Sequence, residues 1–233
     1  MRITPGLRGL YCVHCIFRET LSAKARVQPA LKRLGLTSCN TGDIASGIQK
    51  GLLNLEALYL ARYHNEPTYS LHTEIASQLI ALGVGETGSR ALDPEDFDNI
   101  SVLDAQSFTA DAPFPFVENL RADIRHLRVS PSAWACSPID ARNFVHSRLI
   151  KKCLYLFKTL ETLRLPQCCA EDSIADAVQV ALPGVLLSFD DEITLQAERH
   201  QRFDESGQLD AEFAPGFWAF VDDAKRVERR RRA

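Results

Sequence analysis

Apolar positions along this chain recur mostly three and four residues apart, the spacing of one face of an α-helix. The clearest run is Ile44, Ile48, Leu52, Leu55, Tyr59 and Tyr63, which predicts a helix over residues 41–64, capped by Thr41 or Asp43 and stopped before Pro67. Gly47 and Gly51 lie four apart within it, a spacing that suits close approach of another backbone. Further helices are predicted over residues 70–82, over 115–127 with Phe116, Leu120, Ile124 and Leu127 on one face, and over 137–163 from Ser137-Pro138. Residues 23–34, 171–182 and 217–230 read the same way.

Strand patterns are few and short, over residues 10–17, 100–103, 127–129 and 185–189, and no period of 20–50 residues stands out. The expected fold is therefore mainly α: an irregular helical domain, α+β at most through a small sheet. Residues 1–223 are expected to form a single globular domain. The Gly- and acid-rich loop 84–98 marks an internal boundary, and residues 224–233 form a basic C-terminal tail.

Composition changes little in this picture. Of 233 residues, 45% are apolar and 24% charged, the balance of an ordinary soluble globular protein. The longest uncharged stretches, such as 75–85 and 177–189, are about half of what a membrane crossing needs, so no membrane association is expected. Pro5, Gly6 and Arg8 interrupt the N-terminus, which argues against a signal peptide and for the cytoplasm. The seven scattered cysteines then read as reduced thiols, mostly packed as small hydrophobes.

Charge adds more. A net charge of −3 hides alternating blocks: 1–35 and 113–165 are basic, 36–112 and 166–223 are acidic, and the last ten residues are basic again. Each basic block has an acidic neighbour able to offset it, so the segregation predicts internal packing, 1–35 against 36–112 and 113–165 against 166–223. Only the tail is left uncompensated. Arginine outnumbers lysine twenty to seven, which favours interfaces and buried ion pairs over simple solubility.

Candidate chemistry is sparse. Cys12, His14 and Cys15 put two thiols and an imidazole in four residues, but no second cluster completes a zinc site, so they are weak metal candidates. His64, His72, Glu74, Asp123 and His126 could converge as a His/carboxylate site with or without a metal; Asp123 and His126 stand three apart on the helix expected over 115–127. The run Gly83-Val-Gly85-Glu-Thr-Gly88 has dinucleotide-loop spacing but follows a helical pattern, and reads as a helix C-cap and loop. No Gly-x-Ser-x-Gly, P-loop or H-E-x-x-H pattern is present, and the sequence names no cofactor.

The leading expectation is an intracellular helical interaction protein, an adaptor or accessory subunit with a protein partner. Phe217, Trp218 and Phe220 would be its apolar anchors, and Arg229, Arg230, Arg231 and Arg232 its electrostatic contact. The alternatives are an enzyme using the His/carboxylate set, and a nucleic-acid-binding protein using 113–165 and the tail, which is not favoured because a neighbouring acidic block can cancel that charge.

Overall fold

Leucines that look helical by their spacing belong to short parallel strands. The computed structural model describes residues 8–13, 31–37, 54–61, 73–85, 92–106, 115–120, 122–130, 142–190 and 216–232. The chain divides into two units, Met1–Ile100 with Asn119–Ala122, and Ser101–Glu118 with Asp123–Ala233. In the first unit, β1 (Gly9–Val13), β2 (Arg33–Thr37), β3 (Ala57–Ala61) and β4 (Ala81–Gly85) lie side by side in chain order, all parallel. In the second, β5 (Val102–Gln106), β6 (His126–Ser130), β7 (Thr162–Pro166) and β8 (Leu186–Asp190) do the same. The architecture is parallel α/β, which overturns the expected mainly helical domain.

A repeat that the sequence reading missed is explicit in the register. Gly9 pairs with Arg33, Arg33 with Ala57 and Ala57 with Ala81, a constant step of 24 residues. Val102 to His126 and Thr162 to Leu186 keep that step, while His126 to Thr162 takes 36. Five of the eight repeats carry Leu-x-x-Leu-x-Leu or a close variant: Leu31/Leu34/Leu36, Leu55/Leu58/Leu60, Leu79/Leu82/Val84, Ile124/Leu127/Val129 and Leu160/Leu163/Leu165 are all buried. Side chains two apart on a strand share a face, so the last two leucines point into the core, and the first seals it where the chain enters the strand. The gap of three between the first two leucines is the feature that imitates a helix.

Strand entry is stitched the same way in both units. The carbonyl of Arg8 accepts from the N–H groups of Lys32 and Arg33, that of Lys32 from Glu56 and Ala57, and that of Glu56 from Ile80 and Ala81. Ser101 serves Arg125 and His126, and Arg125 serves Glu161 and Thr162, over 2.7–3.1 Å. The side chains of these stitching residues form ion pairs between neighbouring repeats, Lys32 with Glu56 and Arg125 with Glu161.

Several expected helices give way to this pattern. The one over 41–64 contains β3 in its C-terminal part, and the one over 23–34 ends inside β2; residues 38–53, with Gly47 and Gly51, and 23–30 lie outside the described residues. The one over 70–82 shrinks to α1 (Thr73–Ala76) before β4, so Gly83 and Gly85 are strand residues rather than a helix cap. That over 115–127 shrinks to α2 (Pro115–Asn119) and yields to β6. The longest survives as α3 over residues 142–156, wound as a π-helix across Val145–Cys153 and tightened to a 3-10 turn at Leu154–Leu156. The expectations for 171–182 and 217–230 agree with α4 (Asp172–Ala181) and α5 (Gly216–Arg232); the strand patterns over 100–103, 127–129 and 185–189 overlap β5, β6 and β8, and that over 10–17 overlaps β1 up to Val13, residues 14–17 lying outside the described residues. Loop 84–98 starts as the end of β4 and holds a 3-10 turn, Pro94–Asp96, where Asp93 Oδ1 accepts from the Glu95 N–H at 3.0 Å. The tail is no separate segment, since residues 224–232 are helical within α5.

Truncating a core position should therefore cost far more than truncating an outward strand position. Leu127→Ala is expected to lower stability by about 2–5 kcal/mol. Leu186→Ala, at a side chain 63% exposed, should change it by no more than about 0.5 kcal/mol. Urea unfolding of the two variants makes the comparison.

Candidate functional site

Outward positions of β5–β8 would be expected to meet water, because their neighbours on each strand are the core leucines. Register instead lines up Asp104, Arg128, Arg164 and Ser188 in one row across the four strands, and Arg128 and Asp104 are fully buried. The cover is α5. Its inner stripe, Phe217, Phe220, Val221 and Ala224, is buried, and Glu228 and Arg231 continue the same stripe at helical spacing.

Two arginines side by side on neighbouring strands repel, and in a dry setting each needs a carboxylate. Arg128 Nη1 donates to Asp104 Oδ2 at 2.9 Å, and its Nε donates to Asp190 Oδ2 at 2.8 Å. Asp190 also faces Arg164, with Oδ1 3.8 Å from Nε. Arg164 Nη2 donates to Asp223 Oδ2 of α5 at 2.9 Å, its guanidinium stands 5.4 Å from the centre of the Phe220 ring, and Asp223 takes Arg226 at 2.8 Å on its other oxygen. The result is a chain of alternating charge from β5 across the sheet to the outer surface of α5.

A second cluster closes the strand-entry end. Glu161 Oε1 accepts from Arg125 Nε at 3.2 Å and from Arg231 Nη1 at 2.7 Å, while Arg125 Nη1 lies 3.7 Å from Glu228. Between these groups, His126 is fully buried with Nδ1 2.9 Å from Thr162 Oγ1; its Nε2 and Glu161 Oε2 have no hydrogen-bond partner among the described residues. Burial holds the His126 pKa below the ordinary 6.5, against Glu161 and Glu228, which favour the imidazolium. His126 is therefore a neutral, structural imidazole near neutral pH.

Unit 2 also has a surface cleft of about 320 Å³ between α3 and the start of α4, lined by Arg142, Asn143, His146, Glu171, Ser173 and Ile174. Arg142 Nη1 donates to Glu171 Oε1 across it at 2.7 Å. Next to it Cys169 is buried and its thiol is pushed well above the ordinary range, first by a hydrogen bond with Cys168 and then by burial, so it is a poor nucleophile. Arg128, Arg142 and Arg164 thus spend their charge on Asp190, Glu171 and Asp223, joining block 113–165 to block 166–223.

The residues singled out from sequence fare unequally. His14, Cys15, His64 and His72 lie outside the described residues, as does the side chain of Cys12, whose backbone belongs to β1. Glu74 is exposed on α1. Asp123 is exposed in an extended lead-in to β6, not on a helix with His126, so the two do not share a helical face. Among the described residues no three metal-ligating side chains come together. Phe217 and Phe220 are buried in the chain's own packing, with Trp218 half-buried and its ring 4.7 Å from Phe217. Arg229, Arg230 and Arg232 are exposed, and Arg231 is tied to Glu161. Sequence reading missed Asp104, Arg128, Arg164, Asp190 and Asp223 as a set. The available signal was the residue between the paired leucines, charged in Leu103-Asp104-Ala105, Leu127-Arg128-Val129 and Leu163-Arg164-Leu165.

Arg128→Ala leaves Asp104 and Asp190 charged and dry, and should cost about 3–5 kcal/mol in urea unfolding. Asp223→Ala, at a pair open to water, should cost no more than about 1 kcal/mol. Because the folded chain resists protonating His126 while the unfolded chain takes up a proton near pH 6.5, the His126 contribution is complete above that pH and shrinks as pH falls below it. His126→Gln should reduce the loss of stability between pH 7.5 and 5.5, read from denaturation midpoints.

No protein-family model matches the chain, and neither a curated protein nor a solved structure shows significant similarity to it.

Proposed function

We propose that this chain is a repeat-built interaction module, an adaptor or accessory subunit that holds a protein partner. The observation that carries the reading is the Leu-x-x-Leu-x-Leu pattern on parallel strands that step by 24 residues. One strand per repeat of 20–29 residues, with leucines at that spacing, is the plan of leucine-rich repeats, which bury a continuous core by stacking and offer an extended surface for binding. The site chemistry is compatible with this reading, since the buried charges of unit 2 face one another. Reduced Cys168 and Cys169 fit a reducing compartment such as the cytoplasm. No helix among the described residues is long and apolar enough to cross a membrane.

Affinity capture with the full chain, followed by cross-linking and mass spectrometry, tests the reading. A stoichiometric protein partner is expected, with cross-links confined to a continuous patch on the repeats or on α5. A chain that elutes alone, at every concentration and with no reproducible cross-link to another protein, would sink the proposal.

A further inference from the structure

The inner stripe of α5 is spent on the sheet, and the outward side of its last two turns is basic, with Asp222 and Asp223 just before it. Arg226, Arg229 and Arg230 stand at i, i+3 and i+4, opposite Phe217, Phe220, Val221 and Ala224, with Arg232 one turn further on at the flank. All four are exposed. Arg125, Arg128, Arg142, Arg164 and Arg231 each reach a carboxylate of another element, and Arg226 reaches Asp223 one turn back on α5. Arg229, Arg230 and Arg232 reach none among the described residues. The arginines are held in place rather than trailing, because Arg231–Glu161 and Glu228–Arg125 pin the last turns of α5 to the strand-entry cluster.

We infer that this outward arginine face of α5 is a docking surface for an acidic protein segment, the electrostatic part of the partner contact proposed above, on which the inference rests. Guanidinium groups grouped on a pinned helix take carboxylates two hydrogen bonds at a time. An acidic segment is favoured over nucleic acid by charge. The chain is net −3, and Asp222 and Asp223 lie on the same helix as the patch, so a long polyanion running past it meets repulsion that a short acidic stretch avoids. The arginines close to the helix C-terminus also complement its dipole, which sets their baseline role; binding is the addition.

A fluorescein-labelled short polyglutamate peptide and a duplex DNA of equal charge, each titrated with the full chain, provide the test. Wild-type protein should bind the peptide at low salt and lose affinity steeply between about 50 and 200 mM salt. The variant R229A/R230A/R232A, which spares the anchoring Arg231, should bind it at least about tenfold more weakly. Circular dichroism and the unfolding midpoint confirm that the variant is folded, and R229Q/R230Q gives a second reading with good helix formers. Absent peptide binding, an unaffected variant, or tighter binding of the DNA than of the peptide would each overturn the inference. If the triple variant still captures the cross-linked partner while peptide binding fails, only this inference falls and the interaction reading stands.

Discussion

Arg128 lies at the centre of unit 2 with no access to water, next to Arg164 on the adjoining strand. A fully buried guanidinium beside a second positive charge is tolerable only if carboxylates surround it, and the surroundings of the sheet follow from that need. Asp104 comes from the neighbouring strand in the same row, Asp190 reaches in from the end of β8, and Asp223 arrives on α5. Buried ion pairs of this kind add little net stability compared with well-packed apolar residues. Phe217, Phe220, Val221 and Ala224 supply the driving force for docking α5, and the Arg164–Asp223 pair, open to water, adds orientation rather than much stability.

The repeat imposes a different economy. Each strand is only five residues long, too short to hold register by length, and a doubly used carbonyl at the entries of β2, β3, β4, β6 and β7 does so instead. With strand entry set by the backbone, the side chains there are free to vary. Lys32–Glu56 and Arg125–Glu161 exploit this in equivalent slots of the two units. The longer step from β6 to β7 accommodates α3, whose π-helical winding widens the turn where Val145 and Leu149 enter the core. A fold assembled this way gains surface with every repeat without needing a new core.

Legibility varied with the length of the element. α4 and α5 were readable because ten and seventeen residues give an apolar stripe enough turns to declare itself. The strands over 33–37, 57–61, 81–85 and 162–166 were absorbed into helices, because a five-residue strand shows only two inward leucines and the leucine three before them completes a false helical stripe. Register over the whole chain, not any local window, separates the two cases. The same holds for His126 and Asp123: their spacing of three suggested one helical face, and a strand beginning at His126 removed it.

The amino-acid sequence by itself determined which apolar residues must be buried, where α4 and α5 run, and that arginines of the basic block 113–165 would pair with carboxylates of the acidic block 166–223. Those are properties of composition along the chain, and they survive any fold that keeps leucine from water and charge near countercharge. Tertiary structure alone decided that the leucines stack as parallel strands, that Arg128 and Arg164 meet side by side, and that α5 covers them. Each of these depends on contacts between residues 24 or more positions apart, so the leucine pattern becomes decisive only when repeats are set side by side.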